Sequence, residues 1–287
     1  MQAIHELLLK LRRSPLLLPK PKDWGSHISV SGFFLLPADD GFKPPSDLLE
    51  FLEAGDPPIY IGFGSVVVDN PEAMTSMILE AVSQAGVRAL VSRGWGGLGS
   101  MNMKLPENVF LLGNIPHTWL FERVSVVVIH GGAGTTAASL FSGKPTVIVP
   151  FFGDVSYSSL FRTGSNDIQQ YFWGGVIANA GAGPHPIPYR EQTAEKLAQQ
   201  IKEALHPESR VRARQIGLRL RQERGCERGA RSFHDALSEK HSRCSVLPTR
   251  VAVWEVKGAQ GIKCRLSPLA AAILLQRELI CLEDISL

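Results

Sequence analysis

Short apolar runs recur along the chain, separated by polar stretches punctuated by glycine and proline. Residues 57–65, Pro-Pro-Ile-Tyr-Ile-Gly-Phe-Gly-Ser, read as a strand that ends in a glycine turn. Pro71 to Gly86 has helical spacing, with proline in the first turn and glycine as the stop. Val87 to Val91 and Asn108 to Leu112 are further strands, and Trp119 to Phe121 is a short helical turn. Val124 to Ile129 is the most uniformly apolar run. β-Branched runs of this kind mark strands covered on both faces, as in parallel sheets. Thr135 to Ser142 reads as a helix, Pro145 to Pro150 as a fifth strand, and Gly174 to Ala180 and Arg190 to Leu205 as helices. Strands alternating with helices predict an α/β fold, a Rossmann-like parallel sheet with flanking helices. Ligands of such sheets sit beyond the carboxyl ends of the strands.

The flanks differ in character. Residues 14–37 are proline-rich, with one alternating segment over 27–31, and read as a linker entering the domain. From Arg210 to His234 arginines recur, and a long helix with a solvated basic face is the plain reading. Nucleic acid is the sharper alternative, but no aromatic residue interleaves before Phe233. Contact with anionic lipid headgroups is a third reading. Beyond residue 243, Val251 to Trp254 reads as a short strand and Leu266 to Leu275 as an apolar helix.

Composition adds bounds rather than a function. The 287 residues are 44% apolar and carry a formal charge of +3, too small to point to a nucleic-acid partner. The four cysteines, Cys226, Cys244, Cys264 and Cys281, have no C-x-x-C spacing. Neither a metal site nor a disulfide framework is expected, and a reduced, cytoplasmic setting is. In the first 13 residues the charges follow the apolar core and no cleavage site follows, unlike a secretory signal. The longest late apolar run is too short to span a bilayer.

Candidate chemistry concentrates at His130-Gly-Gly-Ala-Gly-Thr-Thr136, directly after the fourth strand. A strand, a glycine-rich turn and a helix start present free N–H groups and the helix dipole to an anion. The run is neither G-x-G-x-x-G nor G-x-x-x-x-G-K-[ST], and a dinucleotide site is disfavoured because no acidic residue sits about 20 residues beyond a G-x-G-x-x-G. His130 can donate to a phosphate oxygen, although a strand-end histidine satisfied by backbone is the plainer alternative. Gly132, Gly134, Thr135 and Thr136 can supply N–H and hydroxyl donors, or simply make a tight turn. Ser65 follows Gly62-Phe63-Gly64 in a second turn facing the same crevice.

This turn stands in order with Pro19 to Gly25, Pro58 to Ser65, Gly113 to His117, Pro150 to Asp154 and Ala180 to Pro184. Together these segments resemble the donor-binding half of GT-B fold UDP-glycosyltransferases, and within them the sterol 3β-glucosyltransferases. The resemblance implies diphosphate contacts from Ser65, His130, Gly132, Gly134, Thr135 and Thr136. It implies uracil contacts from Ile115 and His117, and a sugar-reading pair in Asp154 and Gln170. It implies glucose transfer from UDP-glucose to a sterol or other lipid hydroxyl, with no metal or cofactor and with peripheral membrane contact. It divides the chain into a linker or remnant of an N-terminal domain (1–37), a donor-binding domain (38–235) and a C-terminal tail (236–287).

The chain departs from the family pattern in two ways. The family reads Phe-Gly-Asp-Gln without a break, whereas here Val155 to Gln169 stand between Asp154 and Gln170. Those 15 residues correspond to 45 nucleotides. A valine codon starts GT and a glutamine codon can be CAG, so a retained intron and a genuine loop are both open readings. Second, family members reach the Pro-Lys-Pro-Lys segment only after a whole acceptor domain, whereas this chain reaches it at Pro19. The general base that the resemblance implies belongs to that domain, so no catalytic residue is assigned here. A non-catalytic nucleotide-sugar-binding module is therefore the alternative to an enzyme.

Overall fold

The computed structural model describes residues 9–11, 13–25, 28–35, 41–94, 105–151, 166–236, 243–257 and 263–286. These fall into two compact units. The larger one comprises 33–223 with 16–18. The other is drawn from residues up to 32, apart from those three, and from 224 onward. The boundaries thus lie at 33 and 223, rather than at the 38 and 235 expected from sequence.

In the smaller unit the first elements are β1 (Leu9–Leu11) and β2 (Ile28–Val30), which pair in parallel. The larger unit is built on α1 (Ser46–Glu53), β3 (Ile59–Gly62), α2 (Pro71–Ala85), β4 (Ala89–Ser92) and β5 (Val109–Leu112). It continues with α3 (His117–Leu120), β6 (Val127–Ile129), α4 (Ala133–Phe141) and β7 (Thr146–Ile148). Helices α5 (Asn166–Asn179), α6 (Ala194–Leu205) and α7 (Pro207–Leu220) complete it.

All five strands of the larger unit are parallel, in the order β5-β4-β3-β6-β7. Alternate residues serve opposite faces of the sheet. Ile59 and Ile61 pack with Val91, Val126 and Val128 against α2 and α6. Tyr60, Leu90, Val127 and Ile129 pack with Leu48, Leu140 and Trp173 on the other face. This two-sided burial explains why the strands read as continuous apolar runs.

Local signals place the helices. The Asn70 side chain accepts the Ala73 amide at 3.0 Å, Pro71 sits at the first helical position, and Gly86 closes α2 at φ +67°. The predicted Gly174 start for α5 is corrected: the helix begins at Asn166. Gly174 is a packing position within it, because a Cβ there would meet Pro186 at 2.6 Å. The long arginine-rich helix is corrected too. It breaks after Leu220, and Arg224 takes a left-handed φ of +45°.

In the smaller unit, α8 (Gly225–Ala236) and a hairpin of β8 (Trp254–Lys257) and β9 (Lys263–Leu266) are followed by α9 (Pro268–Gln276). Strand β10 (Ile285–Ser286) pairs with β8. Sequence reading placed the first hairpin strand three residues early and missed its partner. Lys263 and Arg265 in β9 break the apolar pattern. Leu269, Ile273, Leu279 and Leu282 of this unit are exposed.

Candidate functional site

Strand order reverses between β3 and β6. The chain runs outward from β3 to β4 and β5, then returns to lay β6 on the other side of β3. Such a switch point opens a crevice at the carboxyl ends of the two strands. Gly62 pairs in register with Ile129, so the turns after β3 and β6 stand side by side.

His130 lies between them. A Cβ on Gly64, which has φ +62°, would be 3.3 Å from its Cε1. A Cβ on Gly132 would be 2.5 Å from its Nε2. The imidazole therefore needs glycine on both sides. Its Nδ1 is buried and has no hydrogen-bond partner among the described residues, while the ring as a whole is half-buried. Burial lowers its pKa below the ordinary histidine value, so the ring is held neutral. With Nδ1 enclosed, Nε2 is the nitrogen left to meet a ligand.

Helix α4 begins two residues earlier than the sequence suggested, at Ala133, and its N-cap Gly132 offers no side-chain cap. The Thr136 amide already donates to Gly132 O at 2.9 Å. The amides of Ala133, Gly134 and Thr135 precede the first helical bond and have no acceptor within the helix. This corrects the expected donor set. Ala133 joins it through its backbone, which its side chain could not have signalled. The Thr136 amide leaves it, and the Thr136 hydroxyl is fully buried. Gly134 is exposed and Thr135 half-buried, while Ser65 is exposed on the turn after Gly64.

The residues after β5 sit differently. Ile115 is half-buried in the loop. His117 opens α3 and stacks on Phe121 with ring centroids 4.8 Å apart. Its Nε2 lies 3.3 Å from Tyr60 Oη in a hydrogen bond. Burial lowers the His117 pKa and raises that of Tyr60, so both are neutral. Tyr60 was not singled out from sequence. The signal was Gly62 two residues on, since a Cβ there would collide with the phenol oxygen.

Asp154 lies outside the described residues, as do residues 155–165. The remaining four residues of the extra segment, Asn166 to Gln169, form the first turn of α5. Gln170 is buried, and its Oε1 accepts the Phe151 amide at 2.8 Å. Gly131, at φ +92°, approaches the Gln170 backbone so closely that a Cβ would be 2.9 Å from its carbonyl oxygen. The fold thus brings Gln170 against the His130 turn. Nearby, Phe151 stacks on Tyr189 at a centroid distance of 4.7 Å and meets Phe63 at a tilt at 4.9 Å. Among the described residues no cluster could hold a metal ion.

Known proteins resemble this chain in sequence and in fold. Residues 40–159 match the family described as UDP-glucoronosyl and UDP-glucosyl transferase. A sterol 3-beta-glucosyltransferase of Arabidopsis thaliana is 45% identical over 221 residues, 77% of this chain and 32% of that protein. One from Cryptococcus neoformans is 32% identical over 93% of this chain and 17% of its own length. The chain therefore spans a third or less of these relatives. Among solved structures, the calicheamicin glycosyltransferase CalG4 superimposes with a TM-score of 0.59 at 16% identity, over 79% of this chain and 51% of that one. Arabidopsis thaliana UGT89C1 gives 0.56 at 18% identity, over 80% and 57%. These likenesses place the larger unit in the GT-B glycosyltransferase fold.

Proposed function

Because the chain belongs to the UDP-glycosyltransferase family, in its sterol 3β-glucosyltransferase-like branch, we propose that its larger unit binds UDP-glucose. The glucose would pass to a sterol or other lipid hydroxyl. The diphosphate lies across the His130 turn, where Nε2 of His130, the amides of Ala133, Gly134 and Thr135, and Ser65 converge on one crevice. Uracil lies over Ile115 and His117, and the hexose toward Asp154 and Gln170. Charge building on the departing UDP is met by the open helix start and the imidazole, without metal or cofactor. The acceptor hydroxyl needs a general base, and no residue of this chain is assigned that role. The setting we infer is cytoplasmic, with peripheral contact at the membrane that holds the acceptor. No helix among the described residues is long and apolar enough to cross one.

One observation carries this reading: a neutral imidazole enclosed by Gly64 and Gly132 beside three amides that the helix leaves open. Calorimetric titration of the chain with UDP and UDP-glucose tests it. Saturable UDP binding that His130→Ala weakens is the expected result. Absence of binding by either ligand would overturn it. The same geometry supports donor binding without turnover, since every residue assigned contacts the donor. UDP-glucose hydrolysis or transfer by the chain alone would exclude that second reading.

A further inference from the structure

A separate cavity of about 510 Å³ opens at the other end of the sheet. Its walls include Pro57, Ser125 and Pro145, which stand one or two residues before the starts of β3, β6 and β7. Its charged lining is Arg123, Lys144, Arg210, Arg214 and Arg221 against a single acid, Glu122.

The backbone builds this convergence. Gly143 turns at φ +70°, and α7 crosses it so closely that a Cβ on Gly217 would be 2.7 Å from Gly143 Cα. That approach brings one stripe of α7 to the cavity. Arg210, Arg214 and Leu218 follow at four-residue spacing, and Arg221 continues the row. Ordinarily a helix stripe that meets a sheet end this closely is apolar. Three of the cations already have roles, Arg221 lying over the Phe141 ring at 5.7 Å from its centroid. Arg123 donates to Trp119 O at 2.7 Å and lies over the Trp119 ring. Lys144 Nζ donates to Glu122 O at 3.2 Å. Arg210 and Arg214 make no ion pair among the described residues, and they stand one helical turn apart, about 5–6 Å between Cβ atoms.

We propose that this cavity is a binding site for a compact anion bearing two or more phosphate groups, held by the guanidinium forks of Arg210 and Arg214 with Lys144 between the phosphates. Arginine forks match phosphate oxygens bidentately, and one helical turn suits two phosphates on a small ring. A concave site of this size fits a headgroup better than an extended polymer. The ligand is either the exposed headgroup of a phosphorylated lipid or a free polyphosphorylated metabolite. The site shares no residue with the donor crevice, and the inference does not rest on the proposed transferase reaction.

Titration with inositol 1,4,5-trisphosphate tests it, on the full chain and on two charge-matched variants. Arg210→Gln/Arg214→Gln removes cavity cations, and Arg219→Gln/Arg228→Gln removes two exposed ones elsewhere. The expected result is one saturable site, weakened about tenfold or more by the first pair and unchanged by the second. UDP binding should be unaffected by both pairs, so failure here and failure of the donor reading are separable. No saturable binding, or equal weakening by both pairs, overturns the proposal. Flotation with vesicles containing phosphatidylinositol 4,5-bisphosphate separates the sources. Flotation competed by the soluble trisphosphate means a lipid headgroup. Trisphosphate binding without flotation means a soluble ligand.

Discussion

The side-chain oxygen of Gln170 accepts the backbone N–H of Phe151 at 2.8 Å, although 18 residues lie between them. The two chain ends that border the extra segment are thereby held together at the carboxyl end of β7. Without residues 155–169, Gln170 would follow Asp154 directly and stand four positions beyond Phe151, a distance the same bond spans in a single turn. Phe151 and Gln170, one on each side of the segment, are thus hydrogen-bonded neighbours.

Removing residues 155–169 should accordingly leave the fold intact. The expected outcome is a melting temperature no lower than that of the full chain, with tighter binding of UDP-glucose relative to UDP. A deletion variant that fails to fold would show that the segment is a structural part of the unit.

Gln170→Ala removes the acceptor for the part-buried Phe151 amide. An unpaired buried donor costs about 1–3 kcal/mol, so chemical denaturation should register a loss of that order. With the hexose placed toward Gln170 as proposed, UDP-glucose affinity should fall more than UDP affinity.

His130→Ala should weaken UDP binding about 10- to 100-fold, the range expected for one hydrogen bond to a charged oxygen. Gly132→Ala should produce a comparable loss while keeping the histidine, because its Cβ would displace Nε2. If Gly132→Ala binds UDP normally, the imidazole is not held as described.

Thr136→Val separates the two halves of the predicted donor run. The Thr136 hydroxyl is buried without a partner among the described residues, and its amide is committed to Gly132 O. The replacement should be neutral or slightly stabilising, and UDP affinity should not change. A clear loss of UDP affinity would return the hydroxyl to the binding site.

Both imidazoles have pKa values lowered by burial, so the unfolded chain binds protons more readily than the folded one. Their contribution to stability is complete above the unfolded value near 6.5 and is lost as pH falls below it toward the folded values. The urea midpoint should drop between pH 7.5 and 5.5. His117→Gln should reduce that drop, and an unchanged pH dependence would argue against a buried neutral His117.

Much of this protein was written in its local sequence. Strands β3 to β7 announced themselves because both faces of the sheet are covered, so each strand is mainly apolar. Gly86 and Pro71 marked the ends of α2, and the glycines around His130 marked a turn that admits an anion. What sequence could not decide depended on partners distant along the chain. Gly174 looked like a helix boundary, yet it is a packing position against Pro186. Tyr60 looked like any strand residue until His117 met it across the fold. The open amides of Ala133 to Thr135 depend on where the first helical bond closes, a backbone event that side-chain identity does not report. The arginines of α7 read as a solvated face. Only the close contact of Gly217 with Gly143 gathers them around a cavity, because helix packing, unlike periodicity, is settled by which surfaces can approach.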